Sequence, residues 1–194
     1  MRTLLAAAVM AAVLPSVAAA QDARRGAELA ADRCAACHGA DGRSQMPDIP
    51  SLAGQQAGYI TVQLILFREG IRQVPAMQAF TENMPDKDVE DLAAFFASLP
   101  PGPPDDRTAR DDALFAAGQR VAASRNCGVC HRANFTGGEQ VPYLAGQREE
   151  YLTRAMIEYR DGRRVGADPQ MNGAVFGLSD ADISALAHYL AHRD

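Results

Sequence analysis

Every cysteine of this 194-residue chain, and two of its four histidines, fall in two pentapeptides, Cys34-Ala35-Ala36-Cys37-His38 and Cys127-Gly128-Val129-Cys130-His131. Two thiols one helical turn apart can each add across a vinyl group of one porphyrin. The histidine that follows then lies beneath the iron and offers a ring nitrogen as axial ligand. A redox dithiol needs neither that histidine nor a second copy, and a zinc site made of the four thiolates would leave both histidines unexplained. The pattern predicts two covalent haem c groups, one on Cys34 and Cys37 and one on Cys127 and Cys130, with His38 and His131 on the irons. The chemistry implied is one-electron transfer.

The surrounding sequence repeats as well. Leu52-Ala53-Gly54-Gln55 returns as Leu144-Ala145-Gly146-Gln147, Tyr59 as Tyr151, Phe67-Arg68-Glu69-Gly70 as Tyr159-Arg160-Asp161-Gly162, and Arg72 as Arg164, all 92 residues on. Met84-Pro85-Asp86 aligns with Leu178-Ser179-Asp180 at an offset of 94. Between the copies runs Pro100-Pro101-Gly102-Pro103-Pro104, which cannot continue a helix and favours a stiff, extended connector. The expected organisation is a first domain over 21–99, a connector over 100–112 and a second domain over 113–194. Val89, Leu92, Ala93 and Phe96, and again Ile183, Leu186, Ala187 and Leu190, follow the helical spacing i, i+3, i+4, i+7. Ser179 and Asp182 suit a helix cap, and middle helices are expected near 58–69 and 149–160. Gly26 and Gly118, in the opening helix of each half, would let the final helix cross closely. No alternating pattern competes, so the fold class is all-α.

The ligand on the far side of each iron separates a carrier from a catalyst. Met77 and Met171 each lie seven residues before an equivalent position, Met84 and Leu178, so they are counterparts in the repeat. Met84 is matched by leucine, Met156 falls on the inner face of a helix as core filler, and Met46 has no partner. Met77 and Met171, expected in loops between helices, are therefore the predicted second iron ligands. Thioether ligation raises the reduction potential and leaves no open coordination position. Pro50 and Pro142 are either ordinary loop prolines or mark a backbone carbonyl that accepts from the other nitrogen of each ligating histidine. Arg72 and Arg164 are either partners of haem propionates or surface residues. His188 and His192 lie one turn apart, as a metal-binding pair can, but His188 matches Ala94, so solvent exposure is expected for the pair.

Met1-Arg2-Thr3, the apolar stretch Leu4 to Leu14 and the Ala18-Ala19-Ala20 site read as a secretory signal peptide over 1–20, cleaved after Ala20. Export agrees with haem attachment and predicts a periplasmic protein. Losing Arg2 takes the formal charge from −5 to −6, and Lys87 is the sole lysine. No basic run supports nucleic-acid binding.

The chain resembles the cytochrome c4 family of dihaem class I cytochromes over essentially its whole mature length. The resemblance rests on Cys34-Ala-Ala-Cys37-His38-Gly-Ala-Asp-Gly42, Pro50-Ser-Leu-Ala-Gly-Gln55, Gln63-Leu64 with Phe67-Arg68-x-Gly70, and Leu178-Ser-Asp-Ala-Asp-Ile183. It implies two class I cytochrome c domains related by pseudo-twofold symmetry, with propionate edges facing across their interface. It also implies a carrier, not an enzyme, moving electrons from a membrane quinol-oxidising complex to a terminal oxidase or reductase, with peripheral membrane association. The family's methionine ligands fall on Met77 and Met171; Met84-Pro85 departs from its usual Leu-Ser. The segment from Leu144 to Arg164 also resembles the cytochrome subunit of flavocytochrome c sulfide dehydrogenase, which would make a flavoprotein the partner. A dihaem peroxidase is a third reading and would need an available iron position.

Overall fold

The computed structural model describes residues 21–164 and 169–193; the expected signal peptide lies outside them. The described residues form ten helices and no strand, apart from one isolated bridge between Gly138 and Val141. The first five are α1 (Ala23–Arg33), α2 (Ala35–His38), α3 (Ala57–Arg68), α4 (Pro75–Thr81) and α5 (Asp86–Ser98). The second five repeat them in order: α6 (Asp112–Ser124), α7 (Cys127–His131), α8 (Glu149–Arg160), α9 (Gln170–Val175) and α10 (Asp180–Ala191).

Each half is organised by a crossing of its first and last helices. A Cβ placed on Gly26 would lie 2.0 Å from the Asp91 carbonyl oxygen, and one on Gly118 2.0 Å from that of Ala185. Only glycine leaves room for backbone to meet backbone there. The last helices carry the predicted apolar stripes: Val89, Leu92, Ala93 and Phe96 are buried in one core, and Ile183, Leu186, Ala187 and Leu190 in the other. Each large side chain so buried contributes roughly 1.5–3 kcal/mol. Asp22 and Asp111 cap α1 and α6 alike, each accepting from two backbone N–H groups of the first turn. Ser179 and Asp182 form a full capping box on α10, whereas Pro85 leaves α5 without a side-chain cap.

The halves meet over a polar seam. The buried Arg148 guanidinium grips both carboxylate oxygens of Asp106 in the connector, at 2.8 and 3.0 Å. It also donates to the Ser44 carbonyl of the first half at 2.8 Å. One residue thereby fastens both halves and the connector between them. The connector itself lies against Gly54 and Gly146, both in left-handed backbone conformation, where a Cβ would strike Pro101 and crowd Pro103.

Candidate functional site

The first cysteine–histidine motif occupies the single turn α2, with Cys34 as its N-terminal flank. Cys34, Cys37, His38 and Met77 all line one cavity of the first half, with Leu92 and Phe96 from α5 among its apolar walls. Its empty space, open mouth included, is about 1270 Å³. Residues of the second half complete it: Pro142, Tyr143, Leu144 and Tyr151 belong to the same lining.

His38 is buried, and its Nδ1 lies 2.8 Å from the Pro50 carbonyl oxygen. A carbonyl only accepts, so Nδ1 carries the proton and Nε2 keeps its lone pair. His131 repeats the arrangement, with Nδ1 3.1 Å from the Pro142 carbonyl. Burial lowers the pKa of both rings, the carbonyl contact opposing it, which favours the neutral imidazole a metal requires. The expected orienting carbonyls are therefore those of Pro50 and Pro142 themselves.

The thiols do not resemble those of a redox pair. Burial pushes Cys34 up to about 11 and raises Cys127, whereas a dithiol catalyst needs a lowered value. Cys37 is half-buried and Cys130 exposed.

The methionines separate by environment. Met77 stands in α4 and Met171 in α9, both half-buried; short helices replace the expected loops, α4 opening on Pro75, whose fixed φ suits a first helical position. Met171 packs at the margin of the second core. Met84 and Leu178 are buried at corresponding places in the two cores, Met156 fills the second core, and Met46 is exposed.

Arg72 and Arg164 are both buried, at 9% and 4% exposure, which removes the surface alternative. They converge between the halves with Tyr59, Gln63 and Tyr151. Arg164 donates to the Tyr59 hydroxyl at 2.9 Å and to the Tyr151 hydroxyl at 3.3 Å. Burial alone would raise the Tyr151 phenol, but the Arg164 and Arg72 cations outweigh it and hold it below its ordinary value. Among the described residues neither guanidinium meets a carboxylate, and the Nε of each has no partner.

The exposure expected for His188 and His192 is not found. Both are buried, at 4% and 8%. His188 Nδ1 lies 2.9 Å from Glu149 Oε2 while its Nε2 accepts from the Asp111 N–H at 2.9 Å. His192 Nε2 lies 3.0 Å from the Thr108 carbonyl. The repeat misled here because Ala94 has no connector to fasten: these histidines hold the segment that enters α6. Signals for the seam itself were present in the repeated Leu-Ala-Gly-Gln segments, but nothing in their composition marks them as facing one another.

Comparison with known proteins bears on the same residues. A family model described as cytochrome c matches residues 115–194, and one described as cytochrome c oxidase, cbb3-type, subunit III matches 21–96. Over 179 residues the chain is 36% identical to cytochrome c4 of Pseudomonas aeruginosa, covering 89% of each. The chain belongs to the cytochrome c4 family. The crystal structure of reduced recombinant cytochrome c4 from Pseudomonas stutzeri superposes with a TM-score of 0.81 at 31% identity, over 90% of this chain and all of that one. The chain is also 34% identical over 201 residues to the thiosulfate dehydrogenase electron acceptor of Stutzerimonas stutzeri, covering 96% of this chain and 93% of that protein. As a cytochrome c4 it has two cytochrome c domains, carries two covalently attached haem c groups and acts as an electron carrier. The residues of the first half fit such a group: an apolar cavity bears both cysteines of its motif, a histidine and a methionine. At the seam, two buried cations lack the anions that haem carboxylates would supply.

Proposed function

We propose that this cytochrome c4 is a periplasmic shuttle, exported through a signal peptide cleaved after Ala20. It passes single electrons from a quinol-oxidising complex to a terminal oxidase or reductase. Each half, 21–99 and 113–194 about the 100–112 connector, holds one haem. Cys34 and Cys37 anchor the first, between His38 and Met77; Cys127 and Cys130 anchor the second, between His131 and Met171. The observation that carries this reading is that His38 and Met77 line the same cavity as the two cysteines of their motif.

An iron held by histidine and methionine gains and loses one electron without changing its ligands. The protein's part is to keep that exchange cheap and private. The Pro50 and Pro142 carbonyls fix the histidine rings and their tautomer. The apolar walls of Leu92, Phe96 and Leu144 would shield the haem from water, and an iron held by both His38 and Met77 would offer no place to oxygen or peroxide.

A second reading has support in the relative named as the electron acceptor of thiosulfate dehydrogenase. There the chain would take electrons directly from a sulfur-compound oxidoreductase, and a flavoprotein partner of the sulfide-oxidising type belongs to the same reading. Purification of the native protein, with mass identification of what accompanies it, tests the two. Two haems on a free or oxidase-associated chain support the shuttle. A stoichiometric dehydrogenase or flavoprotein in a tight complex replaces it.

A further inference from the structure

The cluster between the halves is almost symmetric, and the exception is informative. Tyr59 answers to Tyr151 and Arg72 to Arg164 at the offset of 92. Even the stacking repeats: the Arg72 guanidinium lies 4.6 Å over the Phe67 ring, and that of Arg164 4.5 Å over Tyr159. Gln63 breaks the pattern, since the equivalent residue of the second half is Ala155. The Gln63 Oε1 accepts from Arg72 at 2.7 Å and from Arg164 at 3.3 Å. A single neutral acceptor, on the first half's side and lining the first cavity, thus gathers two buried cations. Ala155 offers no such amide, and the second half's acceptor is the Tyr151 hydroxyl, which takes a bond from Arg164 at 3.3 Å. A positive charge near a redox centre favours its reduced state, and the effect is strong where water is excluded.

Resting on the dihaem reading above, we propose that Gln63 makes the two redox sites inequivalent. By drawing both interface guanidiniums towards the first half, it raises the potential of the haem held there relative to its neighbour. Gln63 is a positioning residue: it acts through Arg72 and Arg164.

The test is a spectroelectrochemical titration of the intact dihaem protein, with each midpoint assigned to its half by NMR. Gln63→Ala is expected to lower the midpoint of the first half relative to the second. Ala155→Gln, which supplies the missing acceptor, is expected to raise the second relative to the first. Midpoints that keep their separation in both variants, or move together, overturn the proposal. Should Gln63→Ala not fold, Ala155→Gln decides alone. The mass of the untreated chain keeps the two claims apart: fewer than two haems would sink the dihaem reading, whereas two haems with unmoved separation would sink only the role of Gln63.

Discussion

Gln55 and Gln147 make the same exchange in opposite directions. The Gln55 side chain donates to the Tyr143 carbonyl at 3.0 Å and accepts from the Tyr143 N–H at 2.7 Å. Gln147 does likewise with the Ser51 carbonyl and N–H, both at 2.8 Å. Ser51 and Tyr143 are themselves counterparts at the offset of 92. Each half therefore offers one backbone group pair and one amide to its twin, which is how a duplicated surface becomes complementary to itself.

Because each amide satisfies two backbone groups, Gln55→Ala or Gln147→Ala should weaken the union of the halves by about 2 kcal/mol. The double variant should lose more than either alone, with a departure from simple additivity because the two exchanges share one patch. Denaturant unfolding followed separately in each half checks this. Unchanged midpoints in all three proteins would contradict the role given to the exchange.

Gly26→Ala and Gly118→Ala each drive a methyl group into a carbonyl 2.0 Å away, so the helices must part. A loss of about 2–3 kcal/mol is expected for each, visible as a lowered thermal midpoint in the half that carries the change. A substitution tolerated at either position would mean that the crossing can slide.

Exchange of Met77 or Met171 for alanine should lower the potential of the haem in that half and open its iron to carbon monoxide, leaving the other half as it was. The absorption spectrum under carbon monoxide reads both. Spectra unchanged in both variants would remove these residues as ligands.

Acid should loosen the first half through Asp91. Burial alone would raise its carboxyl, but Lys87, the Asp22 N–H and Arg25 outweigh it and hold it at about 2. An unfolded aspartate titrates near ~3.9, so the stabilisation is complete above that value and is lost as pH falls towards 2. The second half has Ala185 at this position. Amide exchange across this range should show α1 and α5 loosening as pH drops, and Asp91→Asn should remove that dependence. Equal acid sensitivity in Asp91→Asn would place the cause elsewhere.

What could be read from the chain was whatever is local or repeated. The helices of the apolar stripes, the capping box at Ser179 and the narrow crossings at Gly26 and Gly118 follow from spacing over a few residues. Met77 and Met171 emerged as counterparts because two copies can be compared. The failures lie where the copies stop being equivalent. The burial of His188 and His192 depends on a connector that enters only the second half. Arg148 faces Asp106 and Ser44 across distances no periodicity encodes, and Arg72 and Arg164 became buried only once two surfaces closed over them.

The wall that Pro142, Tyr143, Leu144 and Tyr151 contribute to the first cavity sets an order of events. A polypeptide is made from its N-terminus, so Cys34, Cys37 and His38 exist well before the residues that close their cavity. A chain cut short at the connector would leave the first haem's cavity without the wall that Pro142, Tyr143, Leu144 and Tyr151 supply. The duplication is therefore not two independent modules on a string: the earlier copy waits for the later one to be finished.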